Sequence, residues 1–346
     1  MSFHPRRGGR RLPFAMTAAA VVALGVAGCG SDSGGDSADA DDFPTENITL
    51  IVPSAAGGGF DTSARQLQPY LEDELGVTVI VENAEGGGFA IGANKLLGQG
   101  DDCSSVMIHG VPLLQFSYLA QEVDYTYDDF YPIGGYTIEP GVIRVGKDTP
   151  YTTLEELVRA GRDNPGEVRV SISGLTDNNH LAIRQIEKAT GAQFNIVSYD
   201  GGGPARTAVL SGEVEWTHAG MFNSLGIAEG SRVLAVQQDE NEWPELTDDA
   251  PTVDEALGMD LPENETTYGL YATSTCHEQN PERYQALADA YEGATSNPEF
   301  LQTLEDLGEA AKLRVVPGAE YDEVNRTADE ELRAVVDELM APRPTS

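Results

Sequence analysis

Lysine is nearly missing from this chain. Only Lys95, Lys147, Lys188 and Lys312 stand among 21 basic residues, against 57 acidic ones, and the formal charge is −36. With no basic stripe to hold phosphates, nucleic acid is excluded as a partner. A helix lying on an anionic membrane is excluded on the same ground. High acid with little lysine suits a salty habitat, or simply a well-hydrated surface. Such a field repels anions at long range, so an anion site has to work locally. Cysteine is scarce too, with Cys29, Cys103 and Cys276 alone. The five histidines (His4, His109, His180, His218, His277) are scattered. No His/Cys/Asp/Glu cluster has metal-ligand spacing, so neither a metal nor a cofactor is expected. A GxSxG elbow, a zinc motif and a paired-acid motif are all lacking, which leaves an enzyme without visible machinery. No solenoid repeat occurs, and nothing of low complexity follows residue 42.

The long apolar run that does exist lies at the amino terminus. Arg6, Arg7, Arg10 and Arg11 precede apolar residues 13–26, and the segment ends Leu24-Gly25-Val26-Ala27-Gly28-Cys29. This reads as a secretory signal, too short for a comfortable membrane span. The small residues before Cys29 resemble a lipobox, where bacterial lipoproteins are cleaved and the new terminal cysteine is acylated. Residues 1–28 are then a signal peptide and 29–43 a disordered tether of Ser, Gly, Asp and Ala character. Loss of residues 1–28 removes four arginines and no acid, leaving a charge of about −40. If Cys29 carries lipid, Cys103 and Cys276 remain. An even remainder in an exported protein suggests one disulfide, with two buried thiols as the alternative.

From residue 48 onward, short apolar strands alternate with amphipathic segments. Strands are expected at 48–53, 77–82, 105–109, 132–138, 141–146, 168–173, 195–199, 213–217, 232–236 and 267–273. Helices are expected at 61–75, 89–99, 152–164, 178–190, 204–211, 222–229, 281–294, 297–307 and 319–340. The alternation indicates an α/β protein with helices over parallel or mixed sheets. Asp61 fits a helix N-cap, and Gly76 and Gly191 fit helix ends. Two glycine triplets, Gly57-Gly58-Gly59 and Gly86-Gly87-Gly88, each follow a strand and precede a helix. Glycine lets backbone approach a ligand with bare N–H groups, and the helix adds its positive dipole end. Neither triplet is a nucleotide fingerprint. Either is also compatible with a plain structural turn.

Six segments together resemble one family, the extracytoplasmic receptors of tripartite tricarboxylate transporters, also called TctC or Bug receptors. They are Ile51-Val52-Pro53 through Gly57-Gly58 to Asp61 and Arg65; Val81-Glu82-Asn83 with Gly86-Gly87-Gly88 and Ile91-Gly92-Ala93; Val170 to Gly174 with His180-Leu181-Ala182; Tyr199 to Ala205; Gly212 to Glu215; and Ala250 to Ala256. The resemblance implies a two-lobed periplasmic-binding-protein fold of the Venus flytrap, type II kind, each lobe a mixed sheet flanked by helices. Lobe 1 would be 44–140 with 267–346, lobe 2 would be 141–266, and crossing strands would lie near 142–145 and 268–272. The implied job is capture of a small carboxylate and its delivery to the subunits of a membrane permease. The protein would be a monomer, attached to the membrane by its lipid anchor only.

The resemblance also places a ligand site. Loop one supplies Ala56, Gly57, Gly58 and Phe60, and loop two supplies Gly87, Gly88 and Phe89. Lobe 2 supplies Ser173, Gly174, Thr176, Asn178 and Asn179, whose amides and hydroxyls suit a carboxylate or hydroxyl. Gly201 and Gly202 open another helix toward the cleft. Relatives often carry lysine where Asp200 stands, which favours a less charged acid or one with an amine. His109 should face the cleft if its strand ends there. Trp216 and His218 either face the cleft or pack in the core, and His180 fits a structural hydrogen bond. A receptor presenting its ligand to a sensor kinase, or one serving an ABC importer, would share these features.

Overall fold

The structure, a computed structural model, describes residues 43–340. The expected signal peptide, Cys29 and the tether up to residue 42 lie outside the described residues. The strands are β1 (Ile48–Val52), β2 (Val79–Asn83), β3 (Ser105–Val111), β4 (Phe130–Gly146), β5 (Arg169–Ile172), β6 (Asn195–Ser198), β7 (Trp216–Gly220), β8 (Ser231–Val236), β9 (Glu265–Thr273) and β10 (Leu313–Pro317). β1 lies between β2 and β3, parallel to both. β9 then runs antiparallel between β3 and the first half of β4, and β10 pairs with that half as well. The second half of β4 leaves for another sheet, where it pairs antiparallel with β7 and β8, while β5 and β6 extend that sheet in parallel.

Each sheet has its own core. The two-residue period of β1 sends Leu50 and Val52 into one cluster with Leu67 of the helix Gly59–Leu75. Ile51 points the other way, into a cluster with Met107, Tyr271 and Tyr321. The second sheet packs Ile143, Val170 and Ile172 against Leu157, Ile186 and Trp216. A smaller cluster joins Leu181 of the helix Asn178–Thr190 to Phe116, Leu332 and Val336. The long carboxyl-terminal helix Gly318–Met340 therefore touches elements of both halves. Gly76 and Gly191 end their helices in the left-handed conformation, at φ 69° and 74°.

The expected pair of strands at 132–138 and 141–146 is one strand of 17 residues. Pro140 looks like a breaker, but it falls where the β9 ladder ends, so its missing N–H sits at the change of sheet. The second crossing strand, expected near 268–272, is corrected. β9 pairs only within the first sheet, and the return path is the segment before it, where Asn264 O accepts from Gly141 N at 2.7 Å. Cys103 and Cys276 are joined in a disulfide, both wholly buried, tying the turn before β3 to the helix Ser274–Gln279 after β9. No described helix is long and apolar enough to cross a membrane.

Candidate ligand-binding site

A cavity of about 110 Å³ opens between the two sheets. One wall is the turn after β1. Gly57 is left-handed there (φ 79°), and its N–H donates to Asp61 Oδ2 at 2.8 Å. Gly58 N–H donates to Ala55 O at 3.2 Å. These two amides are therefore engaged within the turn. The Gly59 and Phe60 amides, at the start of the helix Gly59–Leu75, make no hydrogen bond among the described residues. They are the donors left for a ligand. Asp61 is not the N-cap; Gly58 holds that position. Asp61 sits in the first turn, 4% exposed, and accepts from Gly57 N, Arg65 Nε and Asn83 Nδ2. Burial alone would raise its pKa, but these donors outweigh burial and hold it below the ordinary value.

The second glycine triplet is positioned differently. Gly86, Gly87 and Gly88 all have positive φ, and Gln121 Nε2 donates to Gly87 O at 2.8 Å. Gly87 and Gly88 do not line the cavity. A Cβ on Gly88 would stand 2.3 Å from Thr176 Oγ1, so this glycine lets the two halves touch at the rim. From this segment only Phe89 reaches the cavity, held at φ 76°, a conformation non-glycine residues rarely adopt. Its ring stands edge-on to Phe60 at 5.8 Å, and Phe60 leans on Tyr268 at 4.5 Å. His109 does not face the cleft. β3 continues to Val111, and the imidazole is wholly buried 5.3 Å from both phenyl rings. Burial pushes its pKa down to about 3, so it stays neutral behind the aromatic wall.

The opposite wall comes from the second sheet. Ser173, Asn178, Asn179, Asp200, Gly201 and Gly202 all line the cavity, whereas Gly174 and Thr176 do not. Asp177 caps the helix Asn178–Thr190, with Oδ1 accepting from Asn179 N at 3.0 Å and Oδ2 from the Ser173 hydroxyl. Its pKa is raised by burial, against those donors. Asn178 Nδ2 donates across to Thr266 Oγ1 at 3.0 Å, and Asn223 Nδ2 to Tyr268 OH at 2.9 Å. Both bonds connect the walls. The amides of Gly202 and Gly203, opening the helix Gly202–Leu210, have no acceptor among the described residues. His218 lines the cavity between Asn179 Oδ1 and Gln237 Oε1 at 2.8 and 2.9 Å, with a pKa lowered by burial to about 4. Trp216 is core, and His180 is tied to Leu175 O at 2.9 Å.

The structure thus brings together Ala56, Gly57, Gly58, Phe60, Phe89, Ser173, Asn178, Asn179, Asp200, Gly201 and Gly202. Sequence reasoning passed over Glu139, Asp177, Arg206, Asn223 and Tyr268, which line the same space. Two signals were available. Glu139 is the lone acid in the apolar run of β4. Arg206 is the lone basic residue of the helix Gly202–Leu210 in a chain poor in cations. Among the described residues no group of His, Cys, Asp and Glu could hold a metal ion.

Two sheets joined by a shared strand, with a cavity between them at strand ends and helix starts, define a two-lobed binding protein. Residues 63–332 match the tripartite tricarboxylate transporter family receptor, and the chain belongs to that family. The family is one of solute receptors, not enzymes. The chain is 27% identical over 300 residues to the UPF0065 protein in the TAR-I ttuE–ttuC' intergenic region of Agrobacterium vitis, covering 86% of this chain and 84% of the relative. It is 26% identical to the UPF0065 protein in the tcbD–tcbE intergenic region of Pseudomonas sp. (strain P51), covering 78% and 79%. Among solved structures, MatC from Rhodopseudomonas palustris with bound malate superposes with a TM-score of 0.73 at 21% identity, covering 86% of this chain and all of MatC.

Proposed function

We propose that this protein is an extracytoplasmic receptor, lipid-anchored through Cys29, that closes over a small organic acid and delivers it to the permease of a tripartite tricarboxylate-type transporter. The observation that carries the reading is that four helix-start residues whose amides have no acceptor among the described residues (Gly59, Phe60, Gly202, Gly203) line one cavity. Such donors stabilise a carboxylate without needing a net positive surface, which this acidic chain does not offer. MatC was solved with malate, and another R. palustris relative in fold with adipate. Lobe 1 is 44–140 with 267–346 and lobe 2 is 141–266; they bend about the change of sheet in β4, and the receptor acts as a monomer.

Thermal unfolding with a panel of mono-, di- and tricarboxylates tests capture. A ligand at 100 times its dissociation constant should add about 2.7 kcal/mol of stability. No shift with any acid at millimolar concentration would remove the reading. The anchor is tested by Cys29→Ala, which should release the protein from the membrane fraction or leave it unprocessed. Normal processing with membrane retention would reject it.

A further inference from the structure

Two opposite charges face the cavity without meeting. Glu139 is 4% exposed, at the change of sheet in β4. Its Oε2 accepts from Asn223 N at 3.1 Å and lies against Gly220, where a Cβ would stand 2.5 Å away. Its Oε1 accepts nothing among the described residues. Arg206 curls back over the start of its own helix, with Nη1 2.7 Å from where a Cβ on Gly202 would be. It makes no hydrogen bond or close ion pair among the described residues, and Glu139 and Tyr268 act on it only through space. Neither Glu139 Oε1 nor the Arg206 guanidinium is a wholly buried unpaired atom, so both open onto the cavity, where a ligand group of opposite charge can complete each.

Resting on the carboxylate-receptor reading above, we propose that the ligand is a zwitterion, a small amino acid or similar amino-functional acid. Its carboxylate meets Arg206 and the helix-start amides, and its ammonium meets Glu139 Oε1. A di- or tricarboxylate would instead set further negative charge against Glu139, Asp177 and Asp200, which all line the cavity, with Arg206 the sole Lys or Arg lining it among the described residues. A neutral ligand carrying both charges completes both side chains and adds no net charge to an acidic cleft. Burial raises the Glu139 pKa to about 7, opposed by Lys312, by the Asn223 amide and by Arg206, and assisted by Glu309. The Tyr268 hydroxyl faces the same space. A ligand ammonium therefore finds a carboxyl that is part protonated when empty, and binding should drive the proton off.

Calorimetry with matched pairs tests this: L-alanine against propionate, 4-aminobutyrate against butyrate, L-aspartate against succinate. At least one amino acid should bind about 10-fold or more tightly than its deaminated partner. Titration at pH 7 in two buffers of different ionisation enthalpy should show proton release with the amino acid. Glu139→Gln should bring the ratio below about threefold and abolish the proton release, while Arg206→Gln weakens both members of the pair. The wild-type ratio is decisive even if a variant fails to fold. Deaminated acids binding as tightly as their amino partners would overturn the zwitterion and leave the carboxylate receptor standing. If no amino acid binds while another acid of the wider carboxylate panel does, the zwitterion alone falls; if nothing in either set binds, both readings fall.

Discussion

Asp61 shows how one carboxylate can shape the cavity without lining it. By position it looks like a helix cap, yet it lies three residues inside the helix and folds back on the turn. It takes the Gly57 amide, the Asn83 amide and the Arg65 guanidinium, and so fixes the loop that leaves the Gly59 and Phe60 amides free. Arg65 is half exposed, so the ion pair itself contributes little. The part-buried bonds from the Gly57 and Asn83 amides to the buried carboxylate contribute more. Asp61→Asn should cost about 1–3 kcal/mol at pH 7, read from urea unfolding. Because the folded pKa is depressed, Asp61 stabilises fully above its unfolded value of about 4. That stabilisation is lost as pH falls through the lower folded value. The gap between wild type and variant should therefore hold from pH 7 to 5 and close below about pH 4. A gap unchanged at pH 3 would mean that the charge plays no part.

Among the elements, the two glycine loops show where reading a sequence stops. Both spell Gly-Gly-Gly-Phe after an apolar strand, and both were expected to hold the ligand with bare amides. Gly58 is extended at φ −75°, and its loop faces the cavity. Gly88 is left-handed at φ 56°, and its loop meets Thr176 instead. The same tetrapeptide takes two backbones because different neighbours press on it, and no local pattern records those neighbours. Strand–helix alternation was legible because each element carries its own period, and the glycine helix ends because they need φ above zero. The helix Leu113–Leu119 was not, since it is buried almost all round and has no periodic face. β10 was missed because it is short, largely exposed and carries no alternation. Glu139 and Arg206 lie 67 positions apart and acquire meaning only when β4 and the helix Gly202–Leu210 converge on one cavity.

At the scale of the whole molecule, the charge of −36 works against the site it surrounds. An approaching carboxylate feels repulsion over a Debye length, about 10 Å at 0.1 M salt and 30 Å at 0.01 M. Only inside that range can Arg206 and the helix starts attract it, so affinity is set by contact and the encounter rate by the field. The association rate of a bound monocarboxylate such as propionate should therefore rise several-fold between about 0.01 and 0.3 M NaCl, with the dissociation rate nearly constant. This is opposite to the usual trend for anions drawn to a basic protein. A zwitterion carries no net charge, and its association rate should stay within about twofold over the same range. Stopped-flow measurements of intrinsic protein fluorescence, with L-alanine and propionate in parallel, separate the two. A propionate association rate that falls with added salt would show that the local field of Arg206 reaches past the acidic surface, and that the net charge does not govern the encounter.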